Sequence, residues 1–332
     1  MKNILIYNSG GGLGDSILLF DLVTSLKINF KDASLFYLGA HENHFQGSLK
    51  EYGIDIPTFE MNLKYFGFRW KHLFLAKKLF NQKPIDKFDL IIDLQSKIRN
   101  TLILKQIPSD NFYSSSLNYF FSTKKRDYIY TKNDMNMILN NLEKLIDKKL
   151  TIHNYNIKSI NPKYFDEAKR ILPNNNYVGL SVTQGNAYRK KNWPIDKFIN
   201  LGKKIVEIKK IPVFLIKKND TELISKIKNE IKEAIIPEEN AKYSEPAFVT
   251  ALATRLSSSV SINNGIMHMI GLAKTPMILL FGSGGSKEEE KFAPKHSSVK
   301  ILNSTKLYNS TDITKISEIC LLYTSPSPRD TN

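Results

Sequence analysis

The chain holds one cysteine, Cys320, in 332 residues, so no disulfide framework is available to it. It has no long apolar run, since none approaches the roughly 20 residues that span a bilayer. Only Lys2 precedes the first apolar stretch, residues 4–7, and that stretch is short and ends in glycines. It reads as a strand and not as a signal peptide, and a cytoplasmic location is expected. No lysine follows the glycines at 10–14, which rejects the phosphate-cradling pattern Gly-x-x-x-x-Gly-Lys-Ser/Thr. The dinucleotide fingerprint is missing too. The spacing is Gly10-x-Gly12-x-Gly14, and the second expected strand, residues 35–38, ends at Gly39 with no acidic residue; Glu42 lies beyond the strand end. A nicotinamide-dependent oxidoreductase is therefore disfavoured.

Acidic residues are few beside basic ones: 32 Asp and Glu against 48 Lys and Arg give a formal charge of +16. Lys, Asn and Ile abound throughout, as an AT-rich coding sequence would produce. The plain consequence is a solvated lysine-rich surface; the sharper one is attraction to nucleic acid, a lipid surface or a phosphorylated substrate. RNA-recognition motifs, zinc-finger spacings and basic-region heptads are all missing, and the aromatic residues do not interleave with a basic patch. No nucleic-acid partner is expected.

What the sequence does contain begins at residues 10–15, Gly-Gly-Gly-Leu-Gly-Asp, between an apolar strand and the apolar start of a helix at 17–20. Glycine permits a left-handed backbone and close approach of a ligand. Backbone N–H groups at a helix start favour anions. Asp15 at this turn is either a helix cap or a base.

Strands and helices alternate along the chain. Strands are expected at 4–7, 34–38 and 88–94, with Asp93 near the end of the third, and a last short one at 128–130. Helices are expected at 16–27, within 61–81 with Arg69 and Lys71 outward, at 97–106 and at 135–146. The polar stretch 150–163, ending Asn161-Pro162, reads as an inter-domain linker. A second alternation follows, with strands at 177–182, 212–216, 259–262 and 277–281. Its helices are at 162–172, 194–208, 221–231, 246–255 and 265–272, and a last one starts at 312–319. Two runs of βα units with apolar strands predict two parallel-sheet domains, with ligands at the carboxyl ends of the strands. The glycine turns at 10–14, 264–265 and 282–285 fall at such ends. Residues 320–330, Cys-Leu-Leu-Tyr-Thr-Ser-Pro-Ser-Pro-Arg-Asp, read as the translation of a sequencing adapter, so 320–332 is expected to be a non-native tail. The expected domains are 1–155 and 156–319.

Four segments in order resemble one family: Gly12-Leu13-Gly14-Asp15-Ser16, Asp89-Leu90-Ile91-Ile92-Asp93-Leu94-Gln95, Lys191-Asn192-Trp193-Pro194 and Asn263-Asn264-Gly265-Ile266-Met267-His268. They are similar to the motifs of glycosyltransferase family 9, the lipopolysaccharide heptosyltransferases. The resemblance implies the GT-B fold, two Rossmann-like domains facing across a cleft. It implies a metal-independent, inverting transfer of heptose from ADP-heptose to the inner core of lipopolysaccharide, with no cofactor beyond the nucleotide sugar. The acceptor is an anionic glycolipid, so the chain is expected to work at the inner-membrane surface.

The resemblance also assigns roles. Asp15 matches the catalytic aspartate and would take the acceptor's proton. Gly12 and Gly14 keep the turn beside it uncrowded and are expected to help bind the acceptor. Lys191 matches the donor lysine, although it is also one of the run Arg189-Lys190-Lys191. Without a metal, protein groups must neutralise the leaving diphosphate. Asn263, Asn264 and Gly265, with His268 one turn on, offer it a helix start; by itself His268 would read as a core histidine. Ser181 and Thr183 end the strand at 177–182 and are expected to hydrogen-bond the same group. Glu222 sits like a family glutamate that binds the donor's ribose. Gln95 and Arg99 are expected to meet the acidic acceptor, with Lys97, Arg69 and Lys71 adding to the field or simply forming a solvated face.

Two departures bear on the donor. The family has Asp where this chain has Asn263, which keeps the shape and loses the charge. The family's Phe-Gly-Pro-Thr is here Phe281-Gly282-Ser283-Gly284, without the rigid proline. The alternative function is a non-catalytic nucleotide- or carbohydrate-binding protein on the same fold.

Overall fold

A computed structural model of the chain describes residues 1–129, 134–183, 193–281 and 292–303. The chain divides into two compact units, Met1–Asn156 and Ile157–Asn332. Each carries one parallel sheet with helices between its strands.

In the first unit, β1 (Asn3–Asn8), β2 (Ser34–Gly39), β3 (Phe88–Asp93) and β4 (Ser109–Ser114) lie in the order β2-β1-β3-β4. Strands β1 and β3 are central, and their middles, Ile4–Tyr7 and Leu90–Ile92, are fully buried. That explains the continuous apolar runs: a parallel strand covered on both faces has no polar side to alternate. Beneath them Phe59 packs edge-to-face on Phe88 at 5.0 Å, and Phe80 joins the same cluster. The connecting helices are α1 (Leu13–Ile17), α2 (Phe20–Asn29), α3 (His72–Phe80), α4 (Ile98–Leu104) and α5 (Met135–Ile146).

In the second unit, β5 (Tyr177–Ser181), β6 (Ile211–Phe214), β7 (Leu256–Ile262), β8 (Met277–Phe281) and β9 (Val299–Asn303) run β6-β5-β7-β8-β9. Its helices are α6 (Pro162–Ile171), α7 (Ile195–Glu207), α8 (Thr221–Glu230), α9 (Pro246–Ala253) and α10 (Gly265–Leu272). Asn161 caps α6 by accepting from Lys163 N at 3.1 Å, and Pro162 fills the first helical position, where a missing N–H costs nothing.

Several sequence expectations are corrected. The helix expected at 16–27 breaks at Leu18–Leu19 into α1 and α2. Residues 128 and 129 form no strand; the fourth strand is β4, whose sequence Ser-Asp-Asn-Phe-Tyr-Ser is polar because β4 is a sheet edge. The helix within 61–81 starts only at His72, leaving Arg69 and Lys71 in the turn before it. Strand β9 had no sequence counterpart. The stretch 150–156 is not a free linker, since it is tied to α2. Asn29 Nδ2 donates to Thr151 O at 2.7 Å, His153 N to Ser25 Oγ at 2.9 Å and Tyr155 N to Asp21 Oδ1 at 2.7 Å. The helix at 312–319 and the tail at 320–332 lie outside the described residues.

The strand orders locate the ligand-binding edges. The chain moves outward from β1 to β2 and then returns across β1 to β3. It does the same from β5 to β6 and back to β7. At each reversal the adjacent connections leave on opposite faces of the sheet and open a crevice at the strands' carboxyl ends. In the first unit that point lies between Asn8 and Asp93, and in the second between Ser181 and Ile262.

Candidate active site

The β1–β3 edge of the first unit gathers the Gly-rich turn, Asp15, Gln95 and Arg99. Buried Asn8 ties the turn to Gln95, its Oδ1 accepting from Gly10 N at 3.0 Å and from Gln95 Nε2 at 2.7 Å. Asp15 is the third residue of α1 and half-buried, and its Oδ2 reaches back to Gly12 N at 3.4 Å. That bond is at the long limit of a hydrogen bond and uses one of about four lone-pair sites, so Asp15 caps weakly and keeps accepting capacity. A Cβ on Gly10 would stand 2.9 Å from Asp15 Cβ and 3.0 Å from its Oδ2. Glycine is thus needed at 10 so that the Asp15 side chain can lie over the turn. None of the glycines at 10–14 is left-handed, so of the two freedoms glycine offers only close approach is used. Beneath the turn, Tyr37 Oη donates to Asn8 O at 3.3 Å, and burial, reinforced by the Asp15 charge, pushes the phenol up to about 12. Gly12 is exposed and Gly14 buried.

Asp93, at the end of β3, is almost fully buried. It accepts from Thr101 Oγ1 at 2.6 Å, Ser114 Oγ at 2.8 Å and Gln95 N at 2.9 Å. Burial raises its carboxyl above the usual range, and these bonds oppose the rise. One side chain therefore fixes β4, α4 and the turn that carries Gln95. Arg99, in the first turn of α4, donates from Nε to Gly67 O at 3.0 Å and lies 5.7 Å from the Phe68 ring centre. That bond takes one of its five N–H donors; among the described residues the terminal nitrogens have no hydrogen-bond partner. Lys97, Arg69 and Lys71 are exposed.

The β5–β7 edge of the second unit is organised by Asn264. Its Oδ1 caps α10 by accepting from Met267 N at 2.9 Å. Its Nδ2 donates to Ser181 Oγ at 2.7 Å and to Thr183 O at 2.8 Å, so the helix start is tied to the end of β5. The next residue, Gly265, has nothing within 4 Å of where a Cβ would be. Among the described residues nothing therefore crowds the start of α10 at the reversal point, where its first N–H groups favour an anion. Asn263 is half-buried beside them. Glu222 is exposed in the first turn of α8, behind the edge strand β6, and no described contact joins it to Asn264. Lys191 and Gly282–Gly284 fall outside the described residues. Trp193, which follows Lys191 in sequence, is buried edge-to-face on Phe198 at 4.7 Å, and Pro194 is the N-cap of α7, one position ahead of the helix.

His268 is only 7% exposed, and burial lowers its imidazole to about 4. It is neutral near pH 7 and brings no positive charge to the α10 start. The unfolded chain titrates at 6.5 and the native one near 4, so the unfolded state binds the extra proton in that window. Stability is accordingly full above pH 6.5 and falls as the pH drops toward 4, by a total on the order of 3 kcal/mol. Denaturant melts of wild type and His268→Gln across this range should show a flatter profile in the variant. Equal slopes would remove His268 as the cause.

Asn8, Asp93 and Gly67 were not anticipated as site residues. Their roles come from partners far away in sequence. Only the position of Asp93 at the end of β3 carried a signal.

The glycosyltransferase family 9 (heptosyltransferase) profile matches residues 75–319. No curated protein sequence matches the chain. Among solved structures, the family 9 glycosyl transferase of Veillonella parvula is 16% identical, with 96% of this chain and 90% of that chain covered and a TM-score of 0.63. The Escherichia coli heptosyltransferase WaaC, solved with ADP, is 11% identical, with 97% and 99% covered and a TM-score of 0.65. The E. coli ADP-heptose lipopolysaccharide heptosyltransferase II is 12% identical, with 98% of each chain covered and a TM-score of 0.64. Such likenesses establish a common fold. The family match spans both units but leaves out the turn that carries Asp15. With the profile match, the two parallel sheets and the shared GT-B architecture together, the chain belongs to glycosyltransferase family 9 and is a nucleotide-sugar glycosyltransferase.

Proposed function

We propose that the chain transfers a heptose-like sugar from ADP-heptose to a lipopolysaccharide core or related anionic glycolipid, with inversion and without a metal or other cofactor. The observation that carries this reading is the Asn264-capped start of α10, open at Gly265, on the β5–β7 edge. It suits a diphosphate better than any carboxylate-lined feature would. The E. coli relatives are described with ADP and with ADP-heptose as donor, which supports the choice of nucleotide.

In the proposed reaction Asp15 accepts the proton of the acceptor hydroxyl as its oxygen bonds to C1 of the sugar. The bond from C1 to the diphosphate oxygen breaks on the opposite face, and the nucleoside diphosphate leaves with the electron pair. Charge building on the diphosphate is met by the α10 N–H groups, by Ser181 and Thr183, and by Lys191. Gln95 and the free fork of Arg99 bind the acidic acceptor. Asn263 and Glu222 are proposed to contact the sugar and ribose. The reaction is proposed to run on the cytoplasmic side of the membrane that bears the acceptor. Among the described residues no helix is long and apolar enough to cross it.

The test is release of nucleoside diphosphate from a panel of ADP-, GDP- and UDP-sugars offered with deacylated lipopolysaccharide core. Acceptor-dependent release from ADP-heptose above the others supports the reading. Donor binding without transfer would favour the binding-protein alternative, which Asn263 in place of the family's Asp prompts.

A further inference from the structure

Residues 61–85 contain six cations, Lys64, Arg69, Lys71, Lys77, Lys78 and Lys83, and no carboxylate. All but the half-buried Lys83 are exposed. Among the described residues none of the six pairs with an acid. The stretch holds a second anomaly. Trp70 is 55% exposed and Phe74 80%, although both are large and apolar. Leu73 N donates to Trp70 O at 2.9 Å, so the turn runs straight into α3 and sets Trp70 and Phe74 about one helical turn apart.

The inner side of α3 is already satisfied: His72, Ala76 and Phe80 are buried, and Leu73 and Leu79 pack on the core. The outer aromatics are therefore surplus to folding, and they stand among unpaired cations. A helix with aromatic and lysine side chains on its free side suits the plane of a lipid interface. Trp is favoured at the headgroup level, and Lys and Arg are drawn to anionic headgroups. A single-stranded nucleic acid would need stacking platforms along a groove, whereas these rings stand on an open helix face. The face also runs on to the acceptor-side residues. Phe68 lies beneath both Lys97 and Arg99 at 5.7 Å, and His41 meets Phe68 and Tyr65 edge-on at 6.1 and 5.4 Å.

We propose that this face, formed by Arg69, Trp70, Lys71, Phe74, Lys77 and Lys78, docks the chain on an anionic lipid bilayer. The proposal rests on the reading above that the acceptor is lipid-borne, and it names the surface that meets the membrane. The bilayer would then present the acceptor on the side of the first unit where Arg99 lies.

The test is flotation of the full chain with vesicles of phosphatidylcholine alone and of an equal mixture with phosphatidylglycerol. Neither donor nor acceptor is needed, so a failure here is separate from a failure of the transferase reading. Wild type should float with the mixed vesicles only, and added salt should weaken the binding. Trp70→Ala with Phe74→Ala, and separately Lys77→Glu with Lys78→Glu, should each lower vesicle affinity by about tenfold or more. Both pairs should keep wild-type transfer to a deacylated, water-soluble acceptor and lose it on acceptor embedded in vesicles. Unchanged flotation in both variants would overturn the proposal. So would wild type that ignores the mixed vesicles but binds generic RNA.

Discussion

Asp15→Asn should lower turnover by about 10²–10⁴ while leaving the affinity for ADP close to wild type. The amide keeps the size of the carboxylate, and its oxygen still reaches Gly12 N, so α1 keeps its weak cap. What it loses is the basic oxygen proposed to take the acceptor's proton. Because the diphosphate is assigned to the second unit, the substitution should be silent in a titration with ADP. Turnover within a few-fold of wild type would return Asp15 to the structural role that its 3.4 Å contact also permits. Gly10→Ala should act on the same step by a different route. Its Cβ would press on the Asp15 side chain from 2.9 Å, so turnover should fall although the carboxylate remains.

Gly67→Ala should destabilise the first unit by about 2–5 kcal/mol. The sum has two parts. Gly67 has φ of +88°, where an L-residue costs about 1–2 kcal/mol. Its Cβ would also lie 2.2 Å from Tyr7 Oη, and such overpacking costs about 1–3 kcal/mol. Tyr7 has little room to give way. It is fully buried, donates to Phe66 O at 2.9 Å and accepts from Asn100 Nδ2 at 3.0 Å. Moving it would also shift Gly67 O, the anchor of Arg99 Nε. Chemical melts should therefore show a lower midpoint, and transfer by the surviving folded protein should show a raised KM for acceptor with little change for donor. An alanine variant as stable as wild type would mean that the Phe66–Phe68 turn adapts, and Arg99 would not depend on it.

The fold was largely legible because its central strands are buried on both faces and read as unbroken apolar runs. α10 was legible to the residue for a related reason: Asn264 stands directly ahead of it as a cap. Elements at the margins were not legible. β4 is a polar edge strand, and its place in the sheet comes from pairing with β3, which local sequence does not encode. The break between α1 and α2 has no proline or glycine to mark it.

The site divides in the same way. Asn264 carried its own signal, an Asn-Gly pair at a strand-to-helix junction. Asn8 and Gly67 carried almost none, since Gln95 and Arg99, the side chains they hold, are 87 and 32 positions away. Asp93 illustrates the cost of reading locally. In sequence it is an acid at a strand end, the position where a catalytic carboxylate is often sought. In the fold three donors enclose it, and it orders Gln95, Thr101 and Ser114. Asp15, in the first turn of α1 and half-buried, is the proposed base, and its hydrogen-bonding capacity is still largely unspent.

The most direct measurement of the account is a crystal structure of the chain with an unreactive ADP-heptose analogue. The account predicts the diphosphate against the backbone N–H of Gly265, with Asn264 still bridging α10 to Ser181. A diphosphate bound instead on the Gly-rich turn at 10–14, with the α10 start empty, would contradict it.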